Sequence, residues 1–529
     1  MSRLISVIKS VHLYHPSITT DMAFPRTSGI LLHPTSLPGR YGIGDLGAQA
    51  YRFVDFLIET QQTLWQILPL GPTGHGNSPY MCYSAMAGNP LLINLENLQS
   101  QGLLTAEELA LTAPFSAVAV DYEAVSVFKL DALRKAATRF KKTADSTIEA
   151  EYKQFTQESS DWLEDYALFM AIKSINDNKP WSQWDTALAR REPDAINRVR
   201  LELSDEILFH EFMQFQFWRQ WLELKNYAND NGIQIVGDMP IYVAHDSADV
   251  WARPENFSLD EETLQPALMA GVPPDFFSET GQLWGNPTYN WEVIEANGFD
   301  WWLQRLRALL KQVDLIRIDH FRGFEAFWAV EEGQETAING EWIEAPGVAF
   351  FEKVKAELGE LPFLAEDLGL IDEKVEELRD RFDFPGMKIL LFAFGGGPDN
   401  PYLPFNVSSN FAIYTGTHDN NTTVGWFDQA TEPEKDTLAT YVGPFSPENV
   451  HWAMIRLALG SVANQAVVPL QDLMGLGSEA RMNTPGVGEG NWEWRYSEAM
   501  ITSQMKSGLT QLTEVYGRAR DRPDEETAS

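Results

Sequence analysis

Eight short runs rich in Ile, Leu, Val and Phe, bounded by Gly, Pro or Asp, recur along the chain. They are GILLHP (29–34), LWQILPL (64–70), IQIVGDMP (233–240), VDLIRIDH (313–320), LPFLAEDLG (361–369), MKILLFAF (387–394), FAIYTGTHD (411–419) and QAVVPLQD (465–472). Runs this short and this continuously apolar predict parallel strands buried on both faces. Between most of them the apolar spacing changes to that of a helix: Ala50, Phe53, Val54 and Leu57 follow the first run, and Leu303, Leu306, Leu309 and Leu310 precede the fourth. Strand and helix alternating eight times predicts an α/β fold, a (β/α)8 TIM barrel, with a doubly wound open sheet as the competing architecture.

The connections are uneven. Strands two and three are separated by long amphipathic stretches such as VSVFKLDALRKAATRF and ILFHEFMQFQFWRQWLELKNYA, which predict an inserted helical subdomain over about 95–225. A second insertion, between strands three and four at about 243–300, mixes prolines, glycines and aromatics with little periodicity. It predicts an ordered loop region over one barrel face. Residues 1–24 mix His, Lys, Ser and Pro too densely for a secretory apolar core and are expected to form an extension, leaving 25–529 as the catalytic barrel.

Composition narrows the function classes. Against 40 basic side chains stand 75 acidic ones, a formal charge of −35, which repels phosphate backbones and anionic lipid heads. Nucleic acid and membrane are therefore excluded as expected partners, and no run reaches the ~18 apolar residues of a membrane helix. The single cysteine, Cys82, can form neither an intramolecular disulfide nor a thiolate metal set, which points to a reducing, cytoplasmic setting. No Asp-rich loop with calcium-ligand spacing occurs, so neither metal nor cofactor is expected.

Chemistry on a barrel gathers at the C-terminal ends of its strands, where the following loops converge. Here those ends are ionisable: Gly237-Asp238 on strand three, Arg317-Ile318-Asp319-His320 on strand four, Glu366-Asp367 on strand five and His418-Asp419 on strand seven. A lone Asp at such a place is most simply a helix cap. Several acids converging directly after apolar residues instead predict a catalytic cluster, because burial and mutual repulsion separate the pKa values that acid and base roles need. Asp367 is read as structural.

These residues lie in longer motifs, among them WQILPLGPTGHGNSPY, GDMPIYVAHDSADVW, AGVPPDFFSETGQLWGNPTYNW, IRIDHFRGFEAFW, FLAEDLG, YTGTHDNNTTVGW and QDLMGLGSEARMNTPGVGEGNWEWR. From about residue 26 to 518 the chain closely resembles the 4-α-glucanotransferases of glycoside hydrolase family 77. The resemblance implies transfer of α-1,4-glucan segments between maltooligosaccharides, amylose or glycogen-type glucans by retaining double displacement. It implies Asp319 as nucleophile, Glu366 as general acid/base and Asp419 as transition-state stabiliser, and groups four further residues with the substrate pocket: Arg317, which holds the nucleophile ionised, His418, which hydrogen-bonds sugar hydroxyls, Asp238, the acid on strand three, and Tyr80, which stacks on the sugar at the cleavage point. Retention needs the first two carboxyls about 5 to 5.5 Å apart, which adjacent strands can supply.

In the loop GVPPDFFSETGQLWGNP, paired prolines and Gly271, Gly281 and Gly285 shape the turns, while Phe276, Phe277 and Trp284 offer flat faces for glucose rings. Asn286 is grouped with them as a sugar contact. Covering the mouth, such a loop would exclude water and favour a sugar acceptor. Three positions depart from the family pattern: His75 and Phe405 stand where tyrosine and histidine are common, and Asn421 stands where an aspartate follows HDN. The readings that compete with transfer are an α-amylase-type hydrolase and a non-catalytic glucan-binding protein, and the second is disfavoured because all three acids are present.

Overall fold

The computed structural model describes residues 24–143, 146–274 and 278–520. Twelve strands are found among them: β1 (Thr27–Leu31), β2 (Leu64–Gln66), β3 (Gln234–Pro240), β4 (Leu268–Val272), β5 (Gln282–Pro287), β6 (Leu315–Asp319), β7 (Ala326–Glu331), β8 (Glu341–Glu344), β9 (Phe363–Ala365), β10 (Gly386–Ile389), β11 (Phe411–Tyr414) and β12 (Gln465–Pro469). Eight of these form one parallel sheet in the order β10-β11-β12-β1-β2-β3-β6-β9. The Ala365 N–H donates to the Pro385 carbonyl at 2.8 Å and joins the two outer strands, so the sheet closes into the expected (β/α)8 barrel. All eight apolar runs supply its strands.

Burial explains why the runs are so uniformly apolar: every residue of β1 and β12 is buried, between the barrel interior and the outer helices. Gly29 in β1 is required by close approach, since a Cβ there would sit 2.3 Å from the Leu64 carbonyl oxygen of β2. On the outer layer, the helix Ala48–Glu59 buries Ala50, Phe53, Val54 and Leu57, and the helix Asp300–Gln312 buries Leu303 and Leu306.

Between β2 and β3 lie the helices Tyr122–Thr143, Ser146–Glu158, Ser160–Ile175, Pro193–Glu202 and Ser204–Asp230. The last runs directly into β3 and holds the chain that follows β2. Gln214 exchanges two hydrogen bonds with the Gly88 backbone (2.7 and 2.8 Å), and Gln220 does the same with Asn94 (2.7 and 3.2 Å). These buried amides fix the segment that carries Tyr80.

The connection after β3 is more regular than its aperiodic sequence suggests. It holds short helices, Ala248–Ala252 and Trp291–Ala296, and also β4 and β5, which join β7 and β8 in an antiparallel sheet of order β5-β4-β7-β8. The expected loop region is thus partly sheet, anchored on the strand that follows β6. Gly271 is used for close packing within it, a Cβ there lying 2.4 Å from the Gln282 carbonyl oxygen, whereas Gly281 and Gly285 take left-handed φ values of 67° and 76°. The extension at 1–23 and the aromatics Phe276 and Phe277 lie outside the described residues. Among the described residues no helix is long and apolar enough to cross a membrane.

Candidate active site

Strand register assembles the first part of the site. β3 and β6 pair so that Asp238 lies opposite Arg317 and Pro240 opposite Asp319. Alternation along β6 then puts Arg317 and Asp319 on the same face, two residues apart. The Arg317 guanidinium donates from Nη1 to Asp238 Oδ1 and Oδ2 (2.7 and 2.8 Å) and to Asp319 Oδ1 (2.8 Å). Arg317 and Asp238 are buried, whereas the Asp319 side chain keeps 28% of its surface and faces the mouth. Burial pushes the Asp238 carboxyl upward against the pull of Arg317. Tyr80 donates its hydroxyl to Asp238 Oδ2 at 2.8 Å, which ties the loop after β2 to this pair.

β9 pairs with β6 so that Ala365 lies opposite Ile318, and Glu366 follows at the level of Asp319. Two backbone amides hold its carboxyl: His320 N–H donates to Oε2 at 2.7 Å and Leu368 N–H to Oε1 at 3.1 Å. His320 reaches that position in a left-handed conformation (φ 55°), an uncommon state for a residue with a side chain. Burial, reinforced by the charge of Asp319 and opposed by Arg317 and the His320 amide, raises Glu366 to about 8. The neighbouring Asp367 turns away, bonded to Arg379 at 2.5 Å and to the Met387 N–H at 2.7 Å.

Asp419, just beyond β11, has the opposite environment. Burial pushes its carboxyl up, but His418 at 3.3 Å, the Asn483 amide donating to Oδ1 at 2.6 Å, and Arg317 together lower it to about 2. The His418 ring stacks on Tyr80 with centroids 5.1 Å apart and planes 18° apart, and Trp492 lies against both. Arg481 donates to the Asp419 carbonyl at 2.6 Å. Arg481, Asn483 and Trp492 come from the glycine-rich stretch after β12, where sequence reasoning had assigned no site residue; the motif was legible but the role of each side chain was not. His320 was likewise missed as a backbone donor.

Of the other expected contacts, Trp284 stands edge-on to the His320 ring, centroids 4.9 Å apart and planes at 88°, beside the Asp319 strand end. Asn286 is buried, its amide donating to the Val243 carbonyl at 2.8 Å, so it fastens the loop from beneath. Phe405 is 61% exposed and stacks on Tyr441, and Asn421 bonds Ser478 and Gln429. Among the described residues no group of three or more His, Cys, Asp or Glu side chains is placed to share a metal ion. The arrangement offers one proton-holding carboxyl, one strongly ionised carboxylate and a third, Asp319, with one oxygen engaged by Arg317, all opening on a single mouth.

A family described as 4-alpha-glucanotransferase matches residues 32–502. The chain is 54% identical to a Synechocystis 4-alpha-glucanotransferase over 93% of this chain and 98% of that protein, and 48% identical to one from Thermus thermophilus over 94% and 100%. The structure of an amylomaltase from Streptococcus agalactiae in complex with acarbose superposes with a TM-score of 0.91 at 42% identity, covering 94% of this chain and all of that one.

Proposed function

The chain belongs to glycoside hydrolase family 77, the 4-alpha-glucanotransferases, and we propose that it disproportionates α-1,4-glucans by a double displacement centred on Asp319, Glu366 and Asp419. The observation that carries this reading is three carboxyls held at one mouth, Asp319 by Arg317, Glu366 by the His320 and Leu368 amides and Asp419 by Asn483, in surroundings that push Glu366 up and Asp419 down. Divergent carboxyls of this kind are what acid and stabiliser roles require at one pH.

In the first half-reaction Glu366 gives its proton to the glycosidic oxygen, and the shorter glucan leaves with a free 4-hydroxyl. Asp319 attacks the anomeric carbon through Oδ2, because Arg317 occupies Oδ1, and the bond to the leaving oxygen breaks as the ester forms. Positive charge grows on the ring in between, and Asp419, ionised and fixed by Asn483, stabilises it. Forming the ester removes the Asp319 charge, one of the influences that raise Glu366. Glu366 therefore becomes a stronger acid at the moment it has lost its proton. In the second half-reaction it takes the proton of an incoming 4-hydroxyl, whose oxygen displaces Asp319 and restores the starting state.

Tyr80 stacked on His418 provides a flat, partly polar wall for the sugar at the cleavage point, and Arg317 and Asp238 lie beneath it. Trp284, edge-on to His320 beside Asp319, would favour a sugar hydroxyl over hydrolysis by excluding water next to the ester. The lone thiol, Cys82, suits a reducing, cytoplasmic setting.

The test is the product pattern from maltotriose. Transfer yields glucose and a ladder of longer chains while total reducing ends stay constant. A steady rise in reducing ends would favour the hydrolase reading.

A further inference from the structure

Outside the barrel a groove of about 690 Å³ runs between two outer helices, Val450–Gly460 and Ser503–Val515. Helix Glu432–Val442 closes one end. The volume falls within the range of ligand sites. Its walls carry the aromatic rings of Tyr441, Phe445, Trp452 and Tyr516 interleaved with the amides of Gln504 and Gln511.

Three observations bear on what the groove holds. No Asp or Glu is among the lining residues, although the chain has 75 of them, and Arg456 is the one charged side chain there. In a chain of net charge −35 the lining is therefore free of acid and carries one cation, which does not suit a basic peptide and leaves aromatic faces and amides for an uncharged, polyhydroxylated ligand. Two of the rings are also pre-set by glycines: a Cβ at Gly508 would lie 3.0 Å from the Trp452 ring, and one at Gly460 would lie 3.1 Å from Tyr516. Both rings thus rest directly on helix backbone and need little ordering on binding. Finally Phe405, a departure from the family pattern and 61% exposed, stacks on Tyr441 with centroids 6.3 Å apart and planes 18° apart, so the aromatic surface continues beyond the groove.

We infer that this groove is a second glucan-binding site, which holds a neutral α-1,4-glucan chain by stacking sugar C–H faces on Trp452 and Tyr516 and by hydrogen bonds from Gln504 and Gln511. It takes the identity of the ligand from the glucanotransferase reading but shares no residue with the acid cluster. Its consequence is preference: long glucans are captured by two sites, maltotriose by one.

The test is calorimetric titration of maltoheptaose into Asp319→Asn protein, which halts turnover. Two sites are expected, and adding either Trp452→Ala or Gln511→Arg should leave one. Gln511 is exposed on its helix, so its replacement keeps the test available where loss of Trp452 disturbs folding. With Asp319 intact, both variants should turn over maltotriose normally while half-saturation by amylose rises roughly tenfold, through loss of a stacked aromatic face in Trp452→Ala and of an amide partner in Gln511→Arg. Loss of the mouth site alone would appear as one site that the groove variants abolish, so failure of the catalytic reading is distinguishable. Persistence of both sites in Trp452→Ala and Gln511→Arg, equal loss of activity on both substrates, or a dimer that dissociates in Gln511→Arg with glucan binding unchanged would each overturn the inference.

Discussion

Glu366→Gln should cost most of the activity and yet become progressively less destabilising as pH rises. A carboxyl raised from 4.5 to about 8 on folding binds its proton more tightly in the folded state. That proton stabilises the fold fully below the unfolded value, and the stabilisation is lost as pH climbs through about 8. Between pH 5 and pH 9 the wild type should lose up to about 4 kcal/mol that the non-titrating glutamine never had. Glu366 is only partly buried, so solvent screening makes this a ceiling. Against it stands a pH-independent cost: both carboxyl oxygens accept backbone N–H bonds, from His320 and Leu368, and the amide can satisfy only one, a loss of about 1–3 kcal/mol. With an unfolding entropy of about 2.1 cal/mol/K per residue over 529 residues, 1 kcal/mol is worth about 1 °C in melting temperature. The variant should melt below the wild type at pH 5, and that deficit should shrink or invert by up to ~4 °C at pH 9, with other titrating groups cancelling in the difference. Calorimetric melts of both proteins at several pH values measure it. Activity should fall by about 10²–10⁴ throughout. Parallel melting curves across the pH range would refute a raised Glu366 and with it the acid assignment.

Arg317→Lys should reduce kcat/KM on maltotriose by at least about a hundredfold and lower the melting temperature, because the shorter lysine side chain stops short of the place where Arg317 Nη1 meets both Asp238 and Asp319, and Asp238 is left buried and under-compensated. Asn483→Ala removes the 2.6 Å bond to Asp419. Asp419 works as a carboxylate, above its pKa, so raising that pKa from about 2 should move the acidic limb of the pH profile to higher pH and lower kcat by roughly tenfold.

The barrel and its acids were legible in the sequence for one physical reason. Parallel strands buried on both faces must be apolar throughout, so an acid directly after such a run stands at the barrel mouth, as Asp319, Glu366 and Asp419 do. Arg317 and Asp238 were readable as members of the cluster, but their facing pair depends on the β3–β6 register, which no single strand encodes. Asn483 and Trp492 were hidden because their places depend on the path of a glycine-rich loop without periodicity. His320 acts on Glu366 through its backbone, where side-chain chemistry gives no signal. The antiparallel sheet escaped notice because LMAGV and QLWGNP carry glycine and proline inside short strands and β4 pairs with β7 across the intervening β6.

The central claim, that Asp319 carries the glycosyl group, is tested most directly by mass spectrometry of proteolytic peptides after Glu366→Gln protein is incubated with a maltosyl fluoride. Fluoride leaves without protonation, and the variant lacks the base that would deliver an acceptor to the ester, so the intermediate should accumulate. A maltosyl adduct is expected on the peptide containing Arg317-Ile318-Asp319-His320, localised to Asp319. An adduct on Asp238, Asp419 or any other residue would contradict it.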